Sequence, residues 1–304
     1  MTWISASLIS AVLLAIANVV DSHLIQKRMP SIWSFLLMAG LLHVIFASIF
    51  LVIYPLPADV GAFPWFIAIL SAIGRGFAVL LMLYAMRTEE ISRIIPVVNT
   101  QPIFVSILAV PILGEALNYK HWLAIVITVA GAILISVRWD GEGRRRARLR
   151  TSFTMLILSS MLFGLANLGT KYALDYFSSW NIYSLGSFCF GSMFFILSLR
   201  TTTLRQLRDL TNRFWVLSVV SFNELIALGG LLLSFWAMEK GPISLVTTIQ
   251  GSRPLFVFLI ALVLSSLWPT VLGERFTKGI VVVKMISIAL IVGGVTIINF
   301  VGDA

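Results

Sequence analysis

Arg75, Glu224 and Arg253 each stand near the middle of a long apolar run. A charged side chain at the centre of a bilayer costs about 2.5–3.5 kcal/mol on insertion scales, so its default reading is a functional one. A guanidinium presents a rigid fork of donors that matches a carboxylate or a phosphate. A buried carboxylate can hold an amine or carry a proton, and the sequence leaves open which. A purely structural reading stands beside these: Arg75 and Glu224 could form a buried ion pair that fixes helix packing. Gln250 lies three residues before Arg253 and shares its helical face. Gln101 takes the corresponding place in an earlier run. Arg75, Gln101, Glu224, Gln250 and Arg253 are therefore the expected substrate-binding residues, and Glu224 the expected proton-coupling group. Pro102 and Pro254 directly follow Gln101 and Arg253. Each removes a backbone hydrogen bond, so both are expected hinges or kinks beside the site.

Other polar residues carry weaker signals. Ser71, Ser221, Asn223, Asn18 and Asn167 are expected chiefly to make interhelical hydrogen bonds. His43 reads as a packed or interfacial histidine, with a proton role as the alternative, and Asp21 and Lys171 as interfacial or gate residues. Asn99, two residues from Gln101, is expected to point away from it. Gly74 and Gly76 roughly match Gly229 and Gly230, and all four suit close packing. Three scattered histidines and the lone Cys189 show no ligand spacing, so no metal and no cofactor are expected.

The elements that position these residues follow from composition. The chain has 304 residues, 59% hydrophobic and 12% charged, with mean hydropathy +0.99. Soluble domains are roughly 25% charged, so a soluble protein is excluded. Ten apolar runs appear, each long enough to span the hydrocarbon as a helix: 3–20, 32–54, 64–86, 91–113, 122–137, 153–172, 180–199, 214–238, 242–267 and 279–301. The first run lacks a basic leader and a small-residue cleavage site, so it is read as a membrane helix and not as a signal peptide. Tryptophans cluster near the run ends, as in an interfacial belt.

The net charge of +9 would suggest nucleic acid in a soluble protein. Here the basic residues sit in loops, and no nucleic-acid partner is expected. Sixteen lie in alternate loops on one face and three on the other. By the positive-inside rule the Arg-rich loops are cytoplasmic and both termini are outside.

The stretch 138–152, which includes RWDGEGRRRARLR, divides the chain into 1–137 and 153–304. The two halves repeat. Ala85-Met86, Ile91-Ser92 and Pro102–Val105 recur as Ala237-Met238, Ile243-Ser244 and Pro254–Val257, all at an offset of 152. Leu113-Gly114-Glu115 returns as Leu272-Gly273-Glu274. Five runs per half is odd, so the second half crosses in the opposite sense. The expected fold class is an all-α membrane protein of ten transmembrane helices in two inverted five-helix repeats.

At these repeated residues the chain resembles the EamA-type transporters of the drug/metabolite transporter superfamily. The resemblance implies an EamA-like five-helix unit in 1–137 and another in 153–304. It also implies a central cavity lined by the first, third, fourth, sixth, eighth and ninth helices. Many relatives are described with both termini cytoplasmic, and the loop charges here argue the opposite. Gly114-Glu115 and Gly273-Glu274 read as turn chemistry, a glycine stop followed by a helix start.

The expected function is a secondary transporter that exports a small carboxylate-bearing or zwitterionic, amino-acid-like metabolite by alternating access, with proton coupling. Translocation of a lipid-linked anionic sugar carrier and export of a cationic drug are the alternatives. No G-x-x-x-x-G-K-[ST] loop is present to bind ATP. No H-E-x-x-H and no clustered carboxylates are present, so an enzyme is not expected. The expected partners are a small-molecule substrate and the lipid bilayer, with a homodimer left open. The expected location is a bacterial-type inner or plasma membrane.

Overall fold

A computed structural model describes residues 2–87, 91–134, 151–267 and 278–301. The stretch 138–150, Trp139, Trp268 and Gly273-Glu274 lie outside the described residues. Those described are helical, joined by short turns, with no strand among them. In hydrocarbon a helix satisfies its own backbone polar groups, which is why long apolar runs take this form.

In chain order the helices are α1 (Trp3–His23), α2 (Ile32–Ile53), α3 (Ala62–Met86), α4 (Ile91–Val98), α5 (Gln101–Leu113), α6 (Tyr119–Leu134), α7 (Thr151–Ala173), α8 (Ser179–Ser198), α9 (Thr201–Arg208), α10 (Arg213–Lys240), α11 (Ile243–Gln250), α12 (Arg253–Leu267) and α13 (Lys278–Val301). A π-helical turn, Leu24–Arg28, extends α1. Seven spans among the described residues are long and apolar enough to cross a membrane, with shorter apolar helices beside them. The chain is a multi-pass membrane protein.

Local sequence sets the helix ends. Thr2 caps α1 and shares a reciprocal capping box with Ser5. Ser31 and Ser178 cap α2 and α8 through their hydroxyls. Gly114 closes α5 at φ +69°, a left-handed conformation that favours glycine. The short α9 lies where the sequence reading has only a loop. It is polar overall, and its buried residues are Thr203 and Leu207.

The fourth and ninth apolar runs differ from expectation. Neither is one kinked helix. Each is two half-helices, α4 with α5 and α11 with α12, broken at residues 99–100 and 251–252. Pro102 and Pro254 stand in the first turn of the second halves, where a missing N–H leaves no broken bond. Both breaks use the same backbone bonds. Asn99 N donates to Ile95 O at 2.9 Å, Thr100 N to Val97 O at 3.2 Å and Ile103 N to Thr100 O at 3.2 Å. Gly251 N, Ser252 N and Leu255 N make the matching bonds to Thr247, Ile249 and Ser252 at 2.8, 3.0 and 2.9 Å.

Four helix pairs form the frame: α1 with α10, α2 with α8, α3 with α7, and α6 with α13. Small residues bring them together. A Cβ on Gly40 would lie 2.7 Å from Gly191 O, and one on Gly191 only 2.8 Å from His43 Cβ. Gly131 meets Ile291 and Ser287, and Gly294 meets Ala124 and Thr128. Of the four glycines expected to pack closely, Gly76 abuts Phe190 and Gly230 abuts Leu14, whereas Gly74 and Gly229 have more room.

This packing makes a prediction. Gly191→Leu should lower folded yield and thermal stability, because overpacking a tight contact typically costs about 1–3 kcal/mol. Gly186→Leu, on the same helix with open space around it, should be tolerated. Melting curves of the two purified variants in detergent check this; equal stability would contradict the packing account.

Candidate functional site

A cavity of about 130 Å³ lies among α1, α2, α3, α7, α8, α10 and the two helix breaks. All five residues expected to bind substrate line it: Arg75, Gln101, Glu224, Gln250 and Arg253. The breaks put Gln101 and Arg253 at the starts of α5 and α12, so the positive ends of two helix dipoles face the same space.

One wall is cationic. Arg75 is buried and donates to Asn167 Oδ1 at 2.9 Å and Thr170 Oγ1 at 3.2 Å. Its guanidinium lies 5.0 Å from the Phe235 ring centroid. Asn167 Nδ2 donates onward to Gln101 Oε1 at 3.2 Å. On the other broken helix, Gln250 Nε2 donates to Ser234 Oγ at 2.9 Å. Arg253 lies within electrostatic reach of Arg75. Among the described residues its Nε is buried without a partner, as is Asn18 Nδ2 on the cavity wall. No salt bridge joins Arg75 or Arg253 to a carboxylate among the described residues.

Another part of the lining is acidic. Glu224 is buried and pairs with His43, Nε2 to Oε2 at 3.1 Å. The His43 ring meets Phe190 edge-on at 4.5 Å, and its Nδ1 is buried without a partner. Asp21 lines the cavity, accepts from Asn223 Nδ2 at 2.7 Å, and lies within electrostatic reach of Glu224.

These contacts bear on three of the readings above. Arg75 and Glu224 do not pair: α3 packs on α7, which gives Arg75 to Asn167 and Thr170, while Glu224 meets His43 of α2. His43 is a cavity residue with a carboxylate partner, beyond mere packing. Asp21 lies on the cavity wall. His43 stands near the middle of the second apolar run, the same signal that singled out Glu224, whereas Asp21 lies just past the end of the first run.

Other candidates fall elsewhere. Ser71 is buried against Gly169. Ser221 lines a separate surface depression with Arg213 and Phe214. Asn99, in the break after α4, donates from Nδ2 back to Ile95 O at 2.6 Å. Lys171 Nζ donates to Met238 O at 2.6 Å and Gly241 O at 3.1 Å, and so caps the C-terminal end of α10.

Glu115 departs from its expected role at a helix start. No helix begins there, since α6 starts at Tyr119. Its carboxylate instead accepts from the backbone N–H groups of Ile243 and Ser244 and from the Ser244 hydroxyl. It thus caps the N-terminus of α11, 128 residues away. A carboxylate suits the unpaired N–H groups and positive dipole there.

Residues 1–137 match the model of the EamA-like transporter family. A Sinorhizobium protein described as an uncharacterized transporter in the cobO 3′ region is 30% identical over 81 residues, which is 27% of this chain and 57% of that relative. A solved crystal structure overlays on 98% of this chain and 97% of its own with a TM-score of 0.69. At 12% identity, that likeness speaks to the fold alone.

The Glu115 cap is testable. Glu115→Ala should destabilise the protein by about 1–2 kcal/mol, the usual scale for a lost helix cap, read as a lower melting temperature in detergent. An unchanged melting temperature would mean that water or a neighbour replaces the carboxylate.

Proposed function

We propose that this protein is a secondary transporter of a small carboxylate-bearing or zwitterionic, amino-acid-like metabolite. It exports the substrate by alternating access, with Glu224 handling a coupled proton. One observation carries the reading: buried donors on the cavity wall lack acceptors. Among the described residues Arg253 Nε and Asn18 Nδ2 have no partner, and Arg75 donates only to neutral oxygens. Leaving a buried donor unmade is costly, and a carboxylate supplies the missing acceptors. The acidic wall then faces the other end of a zwitterion. A purely cationic drug would meet two guanidinium groups, which disfavours it.

Ten membrane-crossing units in two inverted repeats, 1–137 and 153–304, support alternating access. The matched backbone bonds at the two helix breaks support this arrangement. So do the reciprocal Gly40–Gly191 contact and the pairing of α1 with α10 and α3 with α7. Exchanging the halves maps each of these features onto its partner. The loop charges favour cytoplasmic Arg-rich loops and external termini.

Two measurements test the proposal. A thermal-shift screen in detergent should show stabilisation by amino acids or monocarboxylates, since a ligand at 100 times its Kd adds about 2.7 kcal/mol to the native state. Arg253→Ala should melt near the wild-type temperature without ligand and lose the shift. A shift that survives this change removes Arg253 from the site. Separately, a C-terminal cysteine tag should react with an impermeant maleimide in whole cells; labelling only after lysis reverses the orientation.

A further inference from the structure

Six ionisable side chains face the cavity or its acidic wall. α1 contributes Asp21, α2 His43, α3 Arg75, α10 Glu224 and α12 Arg253, while Tyr183 of α8 lies within electrostatic reach of Glu224. The broken-helix residues Gln101 and Gln250, and Asn167 of α7, are neutral. The two guanidinium groups thus share the cavity with two carboxyl groups and a histidine. A zwitterion adds no net charge to it. A carboxylate without an amine adds one negative charge to a water-poor interior, which is costly unless another charge compensates it.

The acidic wall can supply that compensation. His43 Nε2 lies 3.1 Å from Glu224 Oε2, and among the described residues its Nδ1 is buried without a partner. Asp21 adds a second carboxyl group within electrostatic reach of Glu224. We infer that Asp21, His43 and Glu224 form a cation subsite that takes either the ammonium group of a zwitterionic substrate or one proton from solvent. The proton enters only with a carboxylate that lacks an amine, and it is shared between His43 and Glu224. Coupling is then set by the substrate's own charge. A zwitterion moves without a proton, and a monoanion moves with one in the same direction. This inference rests on the proposed carboxylate carrier and specifies what its second wall does.

The apolar side of the cavity, with Phe35, Phe163, Phe190 and Phe194, suits a matched pair of phenyl probes. L-phenylalanine carries both charges, and 3-phenylpropionate carries only the carboxylate. Isothermal titration of the full-length protein in buffers of different ionisation enthalpy, near neutral pH, counts the protons taken up. The expected result is about one proton per 3-phenylpropionate and close to none per L-phenylalanine. Equivalently, 3-phenylpropionate affinity falls about tenfold per pH unit on the alkaline side, and L-phenylalanine affinity stays flat. Glu224→Gln should make 3-phenylpropionate affinity independent of pH and weaken L-phenylalanine at least tenfold. His43→Gln serves as the second variant if Glu224→Gln does not fold. Equal proton counts for the two probes, or none for 3-phenylpropionate, overturn the inference and leave the carboxylate carrier standing. Binding of neither probe to the folded protein removes both.

Discussion

In hydrocarbon no backbone N–H or C=O can go unpaired, and this constraint governs the molecule. Long apolar runs become helices because a helix pairs its own backbone. Two breaks interrupt that solution, at residues 99–100 and 251–252. They are tolerated because tight turn bonds recover part of the pairing and the remaining ends open onto a polar cavity. The prolines that follow leave no broken bond, since they occupy first-turn positions. Where the backbone is broken, the polar and charged side chains gather. The same constraint thus locates the cavity.

Holding such a centre requires close packing around it. Without a hydrophobic drive between helices in lipid, association rests on small residues and shape. Gly40 and Gly191 bring α2 and α8 to backbone distance, and the same contact fixes His43 beside Phe190. Charged side chains cap helix ends within and between the halves. Glu115, after α5, holds the start of α11 in the other half, and Lys171 of α7 holds the end of α10 within the second half. The Glu115 contact would have to rearrange if the halves rock against each other.

Electrostatics inside the cavity follows from partner choice. Arg75 and Glu224 sit on the same cavity, yet each has its own partner. Direct pairing would have neutralised both and left little to recognise a ligand. Instead neutral oxygens satisfy Arg75 only in part, and a histidine accompanies Glu224. The result is a cavity that holds two guanidinium groups and two carboxyl groups with no direct ion pair between them among the described residues.

Much of this was legible in the residues. Apolar runs of about 20 residues imply membrane helices, because helix rise and bilayer thickness fix the length needed. The offset of 152 between halves revealed the repeated motifs, and charges at mid-run revealed Arg75, Glu224 and Arg253, because burial makes such charges costly wherever they sit. Depth along a helix is a one-dimensional property, readable from the run alone. Which way a residue faces, and what stands opposite, is not. Only the tertiary structure gave Glu224 to His43 instead of Arg75, put Asp21 on the cavity wall, and sent Glu115 to cap a helix 128 residues away. Those choices depend on how α1, α2, α3, α7 and α10 are rotated about their axes. Packing at glycine contacts sets that rotation, and no single run contains it.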